Sequence, residues 1–248
     1  MRCRRALSLA MVGLLALSSI ARSDENPKEL LERAYKAEGG YELMAKFKAT
    51  QSKGKGIIYF PIAEVSFTSE SAAQFPDKYK VSLHLEINGA KITRVQTLIG
   101  DKVMTLLNGQ QEEIDDKTSK EIKEQVYVER VTSLLPLREP GFTLTSLGES
   151  KVDGKPALGL KVASKGHREV SLYFDKETAL VVKVESKVYD PLAMKEVVQE
   201  QFYRDYVTQD GLKYPTKSLV TQDGKKFMVL EVTENKNLEK LDDSVFKP

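Results

Sequence analysis

The chain has 248 residues and contains no tryptophan, one cysteine and two histidines. A single cysteine excludes an internal disulfide framework and a thiolate metal cluster. Two histidines far apart in sequence leave little for an imidazole-based metal or catalytic site. Charge of one sign is also missing. The 38 basic residues meet 36 acidic ones, so there is no basic field for nucleic acid and no acidic tail. After residue 20 no segment is apolar enough to span a bilayer, which excludes an integral helical membrane protein. No Gly-rich phosphate loop follows a strand pattern, and neither a G-x-S-x-G elbow nor a D-x-[DN]-x-[DN]-G calcium loop occurs. Asp115-Asp116 and Asp242-Asp243 are sequence neighbours, which point to opposite faces of a strand and make poor acid/base couples. His84 alternates onto the polar face of its strand, and His167 falls in a turn beside Lys165 and Arg168, so both read as solvated surface residues. The expectation is a protein with no metal, no cofactor and no enzymatic activity.

What is present begins with a leader. Arg2, Arg4 and Arg5 precede an apolar stretch from Ala6 to Ile20, and Ala21-Arg22-Ser23 supplies small residues ahead of Asp24. This is the pattern of a secretory signal peptide over residues 1–23, cut after Ser23. The stretch is 15 residues, short of the ~20 that cross a bilayer. Cleavage removes Cys3, four arginines and no acid, leaving 34 basic residues against 36 acidic ones. The expected mature protein, residues 24–248, is a single exported, periplasmic domain near neutrality. Without disulfides it depends on its core, and a chain of this length can bury one.

Asn26-Pro27 opens a helix with a capping amide and proline in the first turn. Leu30, Leu31, Ala34 and Tyr35 then mark an amphipathic face over Lys28–Glu38. Gly39-Gly40 interrupts it, and Tyr41–Lys48 resumes with Leu43, Met44 and Phe47 inward. From residue 49 the period changes to two. Tyr79, Val81, Leu83, Leu85 and Ile87 alternate with polar residues. Asn88-Gly89, Gly100-Asp101 and Asn108-Gly109 punctuate further strands over Ile92–Ile99 and Val103–Leu107, and Pro61 joins an upstream pair. The second half repeats this pattern around Asp153-Gly154, Lys165-Gly166, Asp175–Thr178, Asp190-Pro191, Asp210-Gly211 and Asp223-Gly224. Strands joined by short turns form an antiparallel meander. One helical insertion, about 117–137, interrupts it and ends in Leu134-Leu135-Pro136-Leu137 before Pro140. Such an insertion between strands is read as a lid or plug.

Leader, helix, strands, helical insertion and strands, in that order, resemble the periplasmic lipoprotein-carrier and lipoprotein-sorting superfamily, the LolA-like proteins. Leu172-Tyr173-Phe174-Asp175-Lys176-Glu177-Thr178-Ala179-Leu180-Val181-Val182-Lys183-Val184-Glu185 looks like that superfamily's strand–turn–strand. Leu241-Asp242-Asp243-Ser244-Val245-Phe246 is similar to the closing segment of many members, and Leu31-Glu32-Arg33-Ala34-Tyr35 with Gly39-Gly40 to the opening of others. The resemblance covers nearly the whole mature chain. It implies a mainly β (α+β) fold, an open antiparallel β-barrel or strongly curved sheet covered by an N-terminal helix and a helical lid. It also implies an apolar cavity for acyl chains of a lipid or lipoprotein, with membrane-bound donor and acceptor proteins as further partners. The characterised carriers hold an interior arginine bonded to the lid; Arg94 is the only arginine of the early sheet, and no motif assigns it that part.

The expected function is carriage of acyl chains by hydrophobic exchange. On alternation, Ile57, Tyr59, Phe67, Val81, Leu83, Leu98, Met104, Leu172 and Phe174 would line the cavity. Leu134, Leu135 and Leu137 of the lid would swap with the ligand. The alternative is a non-catalytic periplasmic protein-binding or envelope-sensing module on the same fold, with a filled core.

Overall fold

The first helix, α1 (Pro27–Glu38), starts where the Asn26 side chain accepts the Lys28 amide at 2.9 Å. It stops at Gly39, whose φ of +121° no side chain tolerates well. A Cβ there would also lie 2.3 Å from the Gly211 carbonyl oxygen, so this turn docks closely against a hairpin of the sheet. A second short helix follows, α2 (Tyr41–Lys46). The computed structural model of the chain describes residues 26–191 and 193–247, so the expected leader lies outside the described residues.

The strands run β1 (Ala49–Phe60), β2 (Ala63–Gln74), β3 (Lys78–Ile87), β4 (Ala90–Ile99), β5 (Lys102–Leu107) and β6 (Gln110–Glu112). Helix α3 (Asp116–Thr132) and a 3₁₀ turn (Leu135–Arg138) intervene. Then come β7 (Phe142–Val152), β8 (Lys155–Ser164), β9 (Val170–Asp175), β10 (Val181–Asp190), β11 (Lys195–Gln209), β12 (Leu212–Gln222) and β13 (Lys225–Leu238), with a closing 3₁₀ turn (Asp243–Phe246). All pair antiparallel in one 13-stranded sheet of order β6-β5-β4-β3-β2-β1-β13-β12-β11-β10-β9-β8-β7. The first and last strands join in the middle, from Ala49 opposite Leu238 to Ile58 opposite Met228. The sheet is therefore two arms, β1–β6 and β7–β13, and its two edges, β6 and β7, stay unjoined. α3 connects those edges, and it touches β5 of one arm and β9 and β10 of the other, which requires a curved sheet. The expected mainly β fold, an open and curved antiparallel sheet with helices, is the one observed.

Side-chain alternation carried through the registers divides the sheet into two faces. On the inner face of the second arm, Leu158, Leu160, Val162, Val170, Leu172 and Phe174 are buried against Leu30, Leu31, Ala34 and Tyr35 of α1 and Tyr127 and Val131 of α3. The outer face carries a smaller cluster, where Leu241 and Phe246 of the closing segment cover Ala49 and Ala72. Lys78 and Lys80 hold that segment through Asp243 and the Val245 carbonyl.

Two central strands are longer than the periodicity indicates, which marks Ile57–Phe60 and Phe227–Val232. β1 starts at Ala49 and β13 continues to Leu238, because both sit in the middle of the sheet and gain a ladder partner on each side. β7, over Phe-Thr-Leu-Thr-Ser-Leu-Gly-Glu-Ser-Lys-Val, has no reading in the sequence pattern, since a bulge between Ser146 and Gly148 breaks its alternation. The helical insertion is α3 followed by the separate 3₁₀ turn, with Leu134 between them in the left-handed region at φ +62°.

Candidate functional site

Helices cover one arm and leave much of the other open. On the inner face of the first arm, Phe67, Val65, Ile58 and Leu98 are buried, while Val81, Leu83, Leu85 and Ile92 are only half-buried. Two glycines thin the centre of β1. A Cβ on Gly56 would meet the Phe67 ring at 2.7 Å, and one on Gly54 would meet Leu230 at 2.7 Å, so both aromatic and aliphatic side chains lie down over bare backbone. A groove of about 840 Å³ crosses the strands from β4 to β11 at this level. Most of its lining comes from outer-face rows, Ile57, Leu219 and Val229 together with charged residues such as Lys55, Glu86, Lys91, Lys217 and Glu231, while Phe67, Leu85 and Leu230 alternate inward.

The twelve residues expected to form one cavity are distributed over several places. Phe67, Val81, Leu83 and Leu98 share the inner face of the first arm. Ile57, Tyr59 and Met104 alternate to the outer face, where Tyr59 lies under the Lys226 amine, 4.9 Å from ring centroid to nitrogen. Leu172 and Phe174 are fully buried in the helix-covered core. Leu134 and Leu137 are buried there too, and Leu135 is half-buried against it. The division arises because alternation identifies one face of each strand but not which arm the helices cover.

Polar groups inside the curve escaped the sequence reading. Glu38 ends α1 and Glu129 lies on α3. Glu38 is half-buried and Glu129 exposed at the surface, yet neighbouring protein strips part of the hydration of each carboxyl, and neither forms an ion pair among the described residues. This desolvation pushes the Glu38 carboxyl up to about 8 and raises Glu129 as well. Tyr79 and Tyr203, which feel the Glu129 charge, and Tyr206, which feels Glu38, are raised first by burial and then by these charges. The only sequence signal was their positions near the ends of amphipathic faces.

α3 is tied down by a cluster of charges. Arg168, in the β8–β9 connection, bonds Glu121 at 2.7 and 3.0 Å, and its backbone amide donates to Glu124 at 2.9 Å. Its guanidinium also donates to the Lys187 carbonyl. His167 is exposed, as its turn indicates, but it also has partners: its Nδ1 lies 2.9 Å from the buried Glu124 carboxyl, and its ring stacks on Tyr127 at 4.0 Å. On the other side, the Tyr35 hydroxyl donates to the Leu134 carbonyl at 3.0 Å. Arg138 stacks over Tyr41 and Tyr35 at 4.0 and 4.8 Å and bonds Glu32. Arg94 meets Glu112 of β6 at 3.5 Å, and among the described residues no hydrogen bond or ion pair ties it to α3. Among the described residues no group of three or more His, Cys, Asp or Glu could hold a metal ion, and no helix is long and apolar enough to cross a membrane. His84 is exposed on the outer face, as its alternation indicates.

No family model and no curated protein matches this chain. Solved structures do. A LolA superfamily protein from Nitrosomonas europaea aligns over 90% of this chain and 97% of its own, with a TM-score of 0.57 and 12% identity. A protein domain assigned to outer membrane lipoprotein sorting, from Vibrio parahaemolyticus, aligns over 89% and 97%, with a TM-score of 0.55 and 12% identity. A DUF1329 family protein from Desulfovibrio piger aligns over 89% and 97%, with a TM-score of 0.52 and 15% identity. The chain has the fold of the LolA superfamily, an open, curved antiparallel sheet with helices against one face.

Proposed function

We propose that the protein is an exported, periplasmic, non-catalytic carrier that holds acyl chains of a lipid or lipoprotein against the first arm of its sheet. One observation carries the reading: on the inner surface of β2–β4, Val81, Leu83 and Leu85 stay only half-buried, and Phe67 and Leu85 of that surface also line a groove of about 840 Å³. That volume lies within the ~300–1,000 Å³ of ordinary ligand pockets. An acyl chain laid there gains about 0.8 kcal/mol for each methylene removed from water. The name of the Vibrio protein domain, which refers to outer membrane lipoprotein sorting, supports the same reading. Leu135, the half-buried leucine beside α3, is the lid residue that exchanges with the ligand. Membrane-bound donor and acceptor proteins complete the cycle.

The test is uptake of a fluorescent fatty acid by the mature protein. Leu83→Asp lowers uptake at least tenfold while circular dichroism and the unfolding midpoint show a folded sheet. Leu172→Ala, in the filled arm, weakens stability and leaves uptake by the folded fraction unchanged. Equal uptake by wild type and Leu83→Asp would sink the reading.

A further inference from the structure

Most tight turns of this sheet have the composition their backbone requires. Asn88-Gly89, Gly100-Asp101, Asn108-Gly109, Asp153-Gly154, Asp210-Gly211 and Asp223-Gly224 are polar and glycine-containing. Two turns differ. β1 passes to β2 through Pro61-Ile62, and β10 passes to β11 through Pro191-Leu192-Ala193-Met194. Ile62 is 96% exposed and Met194 78%, the two most exposed large apolar residues among those described. Met194 also occupies φ +53°, a region where six of the nine described non-glycine residues are Asn or Asp. Folding alone favours Asn or Gly there, so the apolar side chain is kept against local preference.

The two turns are at the same end of the sheet. The registers from β1 through β13 and β12 to β11 place the β1–β2 turn level with the Asp223-Gly224 turn and carry the β10–β11 turn about four residues past it along the strands. Four strand spacings separate them, about 19 Å measured across the strands. Each is backed by a tyrosine two residues before its proline, and each tyrosine ring carries a lysine amine: Lys226 at 4.9 Å from Tyr59 and Lys117 at 3.4 Å from Tyr189. Apolar tips, half-buried tyrosines behind them and amines at the same level reproduce the layering of a lipid interface, where acyl chains, headgroups and phosphates follow in that order. Two tips separated by a polar turn offer no continuous patch to a protein partner, whereas a membrane surface meets both at once.

We propose that this end of the sheet is a membrane-contact edge, with Ile62 and Met194 entering the headgroup–acyl boundary of a bilayer and Tyr59, Tyr189 and their lysines seated among the headgroups. The proposal does not depend on acyl-chain carriage in the groove, and its readout is separate. The mature chain is sedimented with vesicles of phosphatidylethanolamine and phosphatidylglycerol. Wild type pellets with them, and Ile62→Asp combined with Met194→Asp lowers the bound fraction at least tenfold, since each buried side chain is worth on the order of tenfold. Fatty-acid uptake in the absence of vesicles is unchanged in that variant. Because the chain contains no tryptophan, Ile62→Trp is a single reporter. Its emission shifts to the blue with vesicles and is quenched by brominated acyl chains. A wild type that ignores the vesicles, or equal sedimentation of the double variant, overturns the proposal. So does salt-reversible binding with unmoved Trp emission, which would mean adsorption through lysines alone.

Discussion

Glu38 shows how one residue couples the inner curve to pH. Burial raises its carboxyl to about 8, above the ordinary 4.5, so the folded chain prefers the protonated form. Its contribution to stability is complete below about pH 4.5 and is lost as pH rises through about 8. The urea midpoint of wild type is therefore expected to fall between pH 5 and 8 by more than that of Glu38→Gln; coincident pH profiles would show that Glu38 is not the titrating group. In the sequence Glu38 is marked only by its place at the end of an amphipathic face, on a helix whose other acids are solvated. His167 teaches the same lesson, since its turn and basic neighbours read as surface. Only tertiary contact brings Glu124 and Tyr127 beside it. Met194 is the reverse case, legible in sequence as an apolar residue in a turn and meaningful once its exposure and φ are known.

Among the elements, α3 carries the most consequence, because it joins the free edges of the two arms. Its own sequence is too charged to hold it by apolar burial alone. Arg168, Glu121 and Glu124 supply a shielded ionic anchor, with side-chain exposures of 17%, 13% and 8%. Removing one partner strands charge that water reaches poorly, a loss of about 3 kcal/mol. Arg168→Ala is expected to lower stability by that order and to raise amide exchange in α3 before that in β8 and β9. Uniform acceleration across the sheet would instead show that the anchor serves the whole fold and not the helix. At this scale the sequence was readable where alternation is regular, as in β3 and β4. It was silent for β7, where the bulge at Ser146–Gly148 shifts the period by one.

The whole molecule is asymmetric: α1 and α3 fill the inner face of β7–β10, while β2–β4 keep half-buried leucines and isoleucines beside the groove. Backbone amides of β3–β5 are expected to exchange faster than those of β8–β10, and loading with a fatty acid narrows the gap. Equal protection in both arms without ligand would mean that the first arm is as well covered as the second. The sequence by itself determined most of the elements and the meander, because turn residues and a period of two act locally. It also carried the resemblance to the LolA-like fold, through the order of those elements. The tertiary structure alone decided that β1 and β13 meet in the middle, which arm the helices fill, and which candidate residues share a face. Those outcomes depend on long-range register and on competition between two similar apolar surfaces for one set of helices, and neither leaves a periodic trace along the chain.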